Sequence, residues 1–323
     1  MFAFKDLAPG ETLDGLRSGK GTYSLYVFDP AEVIGKIPGS AISPILHKAL
    51  GDYYYDVSLR YAGRWLETDD DIAKKTIANY DRAFAAGLST VTMCTNYADK
   101  ALQLGDYAKG IEYYSRALKE DPSLYNVHYN LAFAYLRVEQ YDSALTEGEK
   151  ALAVYEKEPA YLMDALMLCA DAAFYGGLNT RAIAYLDRAL RISAQDYRIY
   201  KKFGYMYLSS NTMDRANENL DALFALSPTN PGATQMVVSA YESYKKNEAI
   251  TDFFLRNLKK YRTQSEVLGN LNFHFALKLE GSGDSKKARK AALDAQQNFT
   301  DATKYDGQIK DAVEALLARN SVE

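Results

Sequence analysis

The chain has 323 residues, of which 48% are hydrophobic and 25% are charged, and its formal net charge is −4 at pH 7. This balance is typical of an ordinary globular protein. The negative charge argues against a general nucleic-acid binder, because neutralising phosphates requires a basic surface. Eight prolines and 20 glycines leave little material for a turn-rich all-β fold. No window approaches the roughly 18 consecutive apolar residues that a membrane span needs.

The two cysteines and the first residues of the chain bear on its compartment. Cys94 and Cys169 lie far apart in the sequence, so we expect buried thiols and no disulfide framework. The first residues lack the basic start, the apolar run and the cleavage site of a secretory signal. These features favour a cytoplasmic location. A periplasmic location stays open if a leader was trimmed from this chain.

Residues 1–44 are predicted to form an N-terminal arm outside the regular part of the chain. The segment TYSLYVFD, residues 22–29, is typical of a short strand or an extended arm. Pro30, Pro38 and Pro44 would interrupt any helix here. We therefore expect this segment to lie as an arm on the helical remainder.

Residues 45–90 are predicted to hold two helices. The first is expected over roughly 45–67, and the second begins at Thr68, where a hydroxyl N-cap precedes the acidic run Asp69–Asp71. An N-cap followed by acidic residues in the first turn is a common helix start. A metal site at the aspartate run is the alternative interpretation.

A regular spacing of about 34 residues begins at residue 91, and a period of this length is typical of repeat arrays. Tyr107 recurs one period later as Tyr141, and Ala117 recurs as Ala151. The spacing then lengthens once by four residues, which predicts an insertion within about 156–163. Four clear units follow from this spacing: 91–124, 125–158, 163–196 and 197–230.

Each of these units is predicted to be a pair of antiparallel helices. The middle of the first helix carries a bulky residue and then a small one, in the pairs Tyr97-Ala98, Leu131-Ala132, Cys169-Ala170 and Phe203-Gly204. Two helices approach closely only where small side chains lie at their crossing, and bulky neighbours fill the remaining space. A single pair cannot bury its apolar face alone, so several must stack.

This pattern resembles the tetratricopeptide repeat, clearly over residues 91–230 and in degenerate form over 45–90, 231–264 and 269–302. A final apolar stripe, Ile309, Ala312, Val313, Leu316 and Leu317, predicts a capping helix within 303–319. The resemblance implies an all-α fold over residues 45–323. In this fold, helix–turn–helix repeats form a right-handed superhelical solenoid.

No motif of the chain indicates catalysis. The histidines His47, His128 and His274 are scattered and lack partners at metal-ligand spacing. The segment GLRSGKGT, residues 15–22, lacks the first glycine and the hydroxyl residue of a phosphate-binding loop. We therefore expect no catalytic residue, no cofactor and no metal.

The resemblance also implies a binding groove, because the first helix of each repeat lines the inner face of a tetratricopeptide solenoid. The groove positions correspond to Asn126, Tyr129, Phe133 and Arg137, then Asp164, Met167, Asp171 and Phe174, then Arg198, Lys201 and Tyr205. The aromatic members are expected to share one channel with the cations beside them. Such a channel suits a peptide with apolar anchors and an acidic group.

One specialised groove of the family is incomplete in this chain. Some members hold the C-terminal tails of heat-shock chaperones with a clamp of lysine, asparagine and arginine side chains. Arg198 and Lys202 match the basic pair of that clamp, but Tyr129, Phe133 and Leu168 stand where its other residues would be.

The sequence therefore predicts a non-catalytic scaffold or adaptor for a protein or peptide partner, without nucleic acid and without a membrane span. Two alternatives stay open. One is an exported binding component for a small ligand or lipid. The other is a structural protein that assembles with copies of itself, as a homo-oligomer.

Overall fold

A computed structural model describes residues 3–4, 26–27, 30, 34, 36, 43–63, 65 and 67–321. Most of the predicted arm, residues 1–44, therefore lies outside the described residues. Within it, strand β1 (Ala3–Phe4) pairs antiparallel with strand β2 (Tyr26–Val27). Strand β2 falls inside the segment for which a short strand was one of two predicted structures.

From residue 43 onward the regular elements of the described chain are helices. In order they are α1 (Pro44–Arg60), α2 (Asp69–Ala85), α3 (Val91–Gln103), α4 (Tyr107–Glu120), α5 (Val127–Arg137), α6 (Tyr141–Tyr155), α7 (Pro159–Tyr175), α8 (Asn179–Ile192), α9 (Tyr197–Ser209), α10 (Met213–Ala225), α11 (Pro231–Ser243), α12 (Asn247–Lys260), α13 (Ser265–Gly281), α14 (Ser285–Asp301) and α15 (Gly307–Arg319). The predicted all-α fold is confirmed. No helix of the described residues is long and apolar enough to span a membrane.

The helices form two compact units, Met1–Glu158 and Pro159–Glu323. The first unit contains α1 to α6 and the second contains α7 to α15. Within each unit, every odd-numbered helix up to α13 packs against the helix that follows it, and consecutive pairs also contact each other. This is the helix-pair stacking that the regular spacing of the sequence predicts.

A left-handed residue ends the first helix of six successive pairs. Each lies two positions after the last residue of its helix, and each has a positive φ: Gly105, Glu139, Gly177, Asn211, Lys245 and Gly283. A left-handed residue at this place lets the last turn bond back onto the helix and reverse the chain. The spacing of these residues is 34, except for two intervals of 38. The first long interval contains the predicted insertion, which lengthens the start of α7.

The crossing of α9 and α10 shows why a small residue is needed in the first helix. A Cβ atom at Gly204 would lie 2.6 Å from Leu220 Cδ2 and 2.9 Å from its Cγ. Gly204 and Leu220 are both buried. The close approach expected from the Phe203-Gly204 pair is therefore present.

The turn before α2 differs from the prediction. Helix α1 ends at Arg60, well before the expected end near residue 67, and Gly63 then takes a φ of 65°. Its backbone N–H donates to the Asp69 carboxylate at 2.9 and 3.1 Å. The predicted N-cap is confirmed, since Thr68 Oγ1 accepts from the Asp71 N–H at 3.2 Å. The aspartates thus organise a turn and a helix start.

The last helix closes the second unit as the predicted cap. Val313 and Leu316 of α15 are buried, and the helix packs against α14. At its end, Arg319 Nε donates to Glu280 Oε1 at 3.0 Å, and Asn320 Nδ2 donates to the same oxygen at 2.7 Å. These bonds tie the cap to the end of α13.

Candidate functional site

Helices α7 and α9 of the second unit enclose a pocket of about 310 Å³, which we call the α7/α9 pocket. Its lining consists of Ala170, Asp171, Phe174, Tyr175, Tyr197, Arg198, Lys201, Lys202, Tyr205 and Met206. Five of the residues predicted from the groove positions are among them: Asp171, Phe174, Arg198, Lys201 and Tyr205. The structure thus brings together most of the predicted site residues of these two helices.

Helical spacing places these side chains on one face of each helix. Asp171 and Phe174 are three residues apart on α7, and Lys201 and Tyr205 are four residues apart on α9. Residues three or four apart are neighbours on a helix surface. The two faces are directed at the same pocket, so each helix contributes an aromatic ring and a charged group.

The aromatic side of the pocket is larger than the sequence predicted. The rings of Phe174 and Tyr175 are 5.3 Å apart, and the ring of Tyr205 lies 5.8 Å from that of Tyr244. Burial raises the pKa of Tyr244, and the nearby hydroxyls of Tyr175 and Tyr205 raise it further. Tyr175 is 60% exposed, so this aromatic cluster offers a substantial surface to a ligand.

Arg198 is in the pocket, but its charge is already matched. Its Nη1 lies 2.9 Å from Asp164 Oδ1, and its Nη2 lies 2.7 Å from Asp196 Oδ2. The hydrogen bonds from Arg198 hold the pKa of Asp196 below its ordinary value. Lys202 is likewise paired with Asp171 across the pocket. These two cations join α9 to α7 and are not available to a ligand unless the pairs open.

Lys201 has no such partner. Its Nζ lies 5.5 Å from the centre of the Tyr205 ring, and it forms no ion pair with any carboxylate of the described residues. A cation over an aromatic face is favourable without being neutralised. Lys201 is therefore the lining cation best placed to receive an anionic group.

Met167 does not belong to the surface of the site. It is only 5% exposed, and between residues 162 and 173 of α7 every residue except Asp164 and Asp171 is buried. The prediction of Met167 as a groove residue assumed that one side of each first helix faces solvent. Because α7 is apolar around most of its circumference, that position is part of the core here.

The remaining predicted residues lie on or beside α5 in the first unit. Phe133 is 36% exposed, and its ring lies 6.1 Å from that of Tyr107. The guanidinium of Arg137 lies 5.1 Å from the centre of the same Tyr107 ring. Tyr129 contacts Tyr155 at 6.4 Å between ring centres. Tyr107 thus links two predicted residues, although sequence reasoning missed it because it begins a second helix.

Asn126 precedes α5 and is exposed, and its side chain makes no capping hydrogen bond. The expectation that the α5 residues share one channel with those of α7 and α9 joins residues of two separate units. That expectation stays a prediction.

A repeated polar contact in the first unit was also missed. Asn96 donates to the Tyr80 hydroxyl at 3.1 Å, and one repeat later Asn130 donates to the Tyr114 hydroxyl at 3.1 Å. Each tyrosine in turn donates to a carboxylate, Asp52 for Tyr80 and Asp99 for Tyr114. Burial raises the pKa of both tyrosines. The two asparagine–tyrosine bonds join successive repeats, and the regular spacing of the sequence could have revealed them.

The two cysteines are buried, and two of the histidines are held in structural contacts. Cys94 and Cys169 are buried, as expected. His128 Nδ1 lies 2.6 Å from Glu147, and His274 Nδ1 lies 2.9 Å from the Asn270 carbonyl oxygen. Within the described residues, no group of three or more histidine, cysteine, aspartate or glutamate side chains could hold a metal ion.

Comparisons with known proteins agree with this architecture. A tetratricopeptide repeat family model matches residues 101–170. The BBSome complex member BBS4 of Bos taurus is 25% identical over 127 residues, which cover 39% of this chain and 24% of that protein. The match therefore spans about a quarter of that relative's length.

The chain is also similar to solved structures. A tetratricopeptide repeat protein from Parabacteroides merdae superimposes with a TM-score of 0.51 at 15% identity, covering 85% of this chain and 98% of that one. For MamA 41-end from Desulfovibrio magneticus RS-1 the TM-score is 0.46 at 17% identity, covering 56% and 96% of the two chains. The family match and the first of these structures confirm the predicted resemblance and the repeat fold.

Proposed function

We propose that this tetratricopeptide repeat protein is a non-catalytic scaffold that binds a peptide segment of a partner protein in the α7/α9 pocket. The observation that carries the proposal is the composition of that pocket. It combines an exposed aromatic cluster with one cation, Lys201, that no described carboxylate neutralises.

The size of the pocket favours a side chain over a large ligand. Its volume of about 310 Å³ is at the lower end of the range of about 300–1,000 Å³ for ligand sites. Aromatic rings supply much of the binding energy at such sites, since they bury a large apolar area and few degrees of freedom are lost. One aromatic or aliphatic anchor of a peptide would fill this space.

The charges divide into two roles. The pairs Arg198–Asp164 and Lys202–Asp171 connect α7 with α9 across the pocket. A site that is formed before the ligand arrives loses less free energy on binding. Lys201 is the third cation, and it would pair with an acidic side chain or a terminal carboxylate next to the anchor.

The test begins with a selection of random 16-residue peptides displayed on phage against the full chain. The affinities of selected peptides are then measured by fluorescence anisotropy for the wild type and for Tyr205→Ala and Lys201→Ala. We expect each substitution to weaken binding about tenfold or more, which is about 1.4 kcal/mol. The circular-dichroism spectrum should remain that of the wild type.

Helix α12 offers matched controls, because Leu255 and Lys259 are exposed on it and do not line the pocket. Leu255→Ala and Lys259→Ala should leave the affinities unchanged. If the selected peptides bind both pocket variants as tightly as the wild type, the binding site is elsewhere and the proposal is wrong.

A further inference from the structure

A second pocket in the same unit lies between α11 and α13 and has a volume of about 620 Å³. We call it the α11/α13 pocket. Ser239 and Glu242 line it, and they are the counterparts, two repeats later, of Asp171 and Phe174 in the α7/α9 pocket. The two pockets therefore occupy the same face of the first helices, two repeats apart.

Residues of α13 also line the pocket at positions equivalent to those of the first pocket. Leu277 and Lys278 are the counterparts of Tyr205 and Met206. Each lies 72 residues after its counterpart, which is two repeats of 34 residues plus the four extra residues of the interval from Lys245 to Gly283. Six of the ten residues that line the α11/α13 pocket are counterparts of residues that line the first pocket: Val238, Ser239, Glu242, His274, Leu277 and Lys278.

Those side chains replace the aromatic cluster and the unpaired cation of the first pocket with polar and aliphatic groups and a paired cation. The amide of Gln235 and the hydroxyl of Ser239 line one wall, and Leu277, which is 37% exposed, supplies an apolar surface. Lys278 Nζ lies 2.9 Å from Glu242 Oε1, so the cation of this pocket is already paired.

His274 adds a hydrogen-bond acceptor to the lining. Its Nδ1 lies 2.9 Å from the carbonyl oxygen of Asn270. A carbonyl oxygen can only accept, so Nδ1 carries the proton and Nε2 presents a lone pair. Burial lowers the pKa of His274, which favours the neutral ring. A ligand group here must donate an N–H or O–H, and an anion would face both this lone pair and the Glu242 carboxylate.

We propose that the α11/α13 pocket is a second subsite for the same peptide, and that it takes a neutral aliphatic residue next to a hydrogen-bond donor. The inference rests on the proposed function of the α7/α9 pocket. Helix α11 connects the two subsites, because it lines the second one and is followed by Tyr244, whose ring contacts Tyr205 of the first.

The geometry also sets the spacing of the peptide. Successive first helices α9, α11 and α13 pack against one another, and the axes of packed helices are about 8–10 Å apart. Two such steps separate the pockets by about 16–20 Å. An extended chain advances about 3.3 Å per residue, so about five or six residues separate the two anchoring side chains.

The test uses the fluorescein-labelled 16-residue peptides selected on the full chain whose affinity falls in Tyr205→Ala. They are shortened one residue at a time from either end. We expect affinity to fall about tenfold in a single step when the aliphatic residue about five or six positions from the first anchor is removed. The double variant Gln235→Ala with Leu277→Ala should weaken the long peptides about tenfold and leave the shortened ones unchanged. Both residues are exposed, and a thermal melt checks the fold.

Leu255→Ala serves as the control for an exposed leucine outside both pockets. If peptides reduced to the first anchor bind as tightly as the long ones, and the double variant has no effect, the second subsite is refuted while the proposed function stands. If no selected peptide depends on Tyr205 or Lys201, the proposed function fails and the second subsite fails with it.

Discussion

Gly204 tests the packing of the second unit most directly. A Cβ atom there would lie 2.6 and 2.9 Å from two carbons of Leu220, whereas carbon atoms are in favourable contact at about 3.5–4.0 Å. Leu220 is fully buried, so its side chain has little room to rotate away. Helices α9 and α10 would have to separate by about 1 Å, and their neighbours in the stack would have to adjust.

The expected magnitude follows from this geometry. Overpacking a core costs about 1–3 kcal/mol, and Gly204→Leu, which adds four carbons, should reach about 3 kcal/mol or more. Gly204→Ala should cost less, because alanine recovers about 1 kcal/mol of helix propensity. In a cooperative unit of about 150–250 residues, 1 kcal/mol shifts the melting temperature by about 2–4 °C. Gly204→Leu should therefore melt about 6–12 °C lower when followed by circular dichroism.

Gly281 provides the matched control. It ends α13 in the same unit, and a Cβ atom there would meet nothing within 4 Å. Gly281→Ala should therefore leave the melting temperature unchanged or raise it slightly. A wild-type melting temperature for Gly204→Leu would refute the close crossing of α9 and α10, and with it the phase of the fourth clear repeat.

Two further predictions concern titratable groups. Cys94 and Cys169 are both buried, and burial raises the pKa of Cys94. Both thiols should therefore react slowly with a thiol reagent in the native chain and quickly after unfolding. Rapid labelling of either thiol in the native chain would contradict its buried placement. In Arg198→Ala the pKa of Asp196 should return towards about 3.9, because the largest cause of its depression is the hydrogen bond from Arg198. Since the folded pKa of Asp196 is depressed, its stabilising contribution is present above about pH 3.9 and is lost as the pH falls through the folded pKa. Titration of Asp196 by NMR checks this, and an unchanged pKa in the variant would refute the assigned cause.

The repeat fold could be predicted from the sequence, because each helix pair must meet the same packing requirement. Pairs such as Phe203-Gly204 recur about every 34 residues, and at Gly204 the helix crossing leaves no room for a larger side chain. The conformation of the turns was harder to predict. Glycine at 105 or 177 signals a left-handed residue, but Glu139 and Lys245 adopt the same conformation without any local signal. There the packing of the helices on either side determines the backbone.

The binding face could be predicted only in part, because a groove position carries no information about the far side of its helix. Phe174 and Tyr205 line one pocket, since spacing along a helix determines which residues share a face. Met167 is buried instead, because the burial of α7 depends on which helices cover its other sides. Tyr244 was missed, because it follows the end of α11 and belongs to no groove position.

The sequence could have shown better which charged side chains are already paired, because polar contacts in this chain often join residues about one repeat apart. Arg198 and Asp164 are 34 residues apart, Arg256 and Asp221 are 35, and Lys278 and Glu242 are 36. Equivalent positions of neighbouring first or second helices are adjacent in space, so a charge one repeat away is the first partner to consider.

This rule distinguishes Arg198 from Lys201, two cations of the α7/α9 pocket that were predicted to have the same role. One repeat before Arg198 stands Asp164, an acid, which takes up its charge. One repeat before and after Lys201 stand Met167 and Gln235, neither of which is charged. Lys201 is left unpaired because its neighbours in the array cannot neutralise it. The same comparison, one period in each direction, gives a physical way to choose which charges of a repeat groove are free to recognise a ligand.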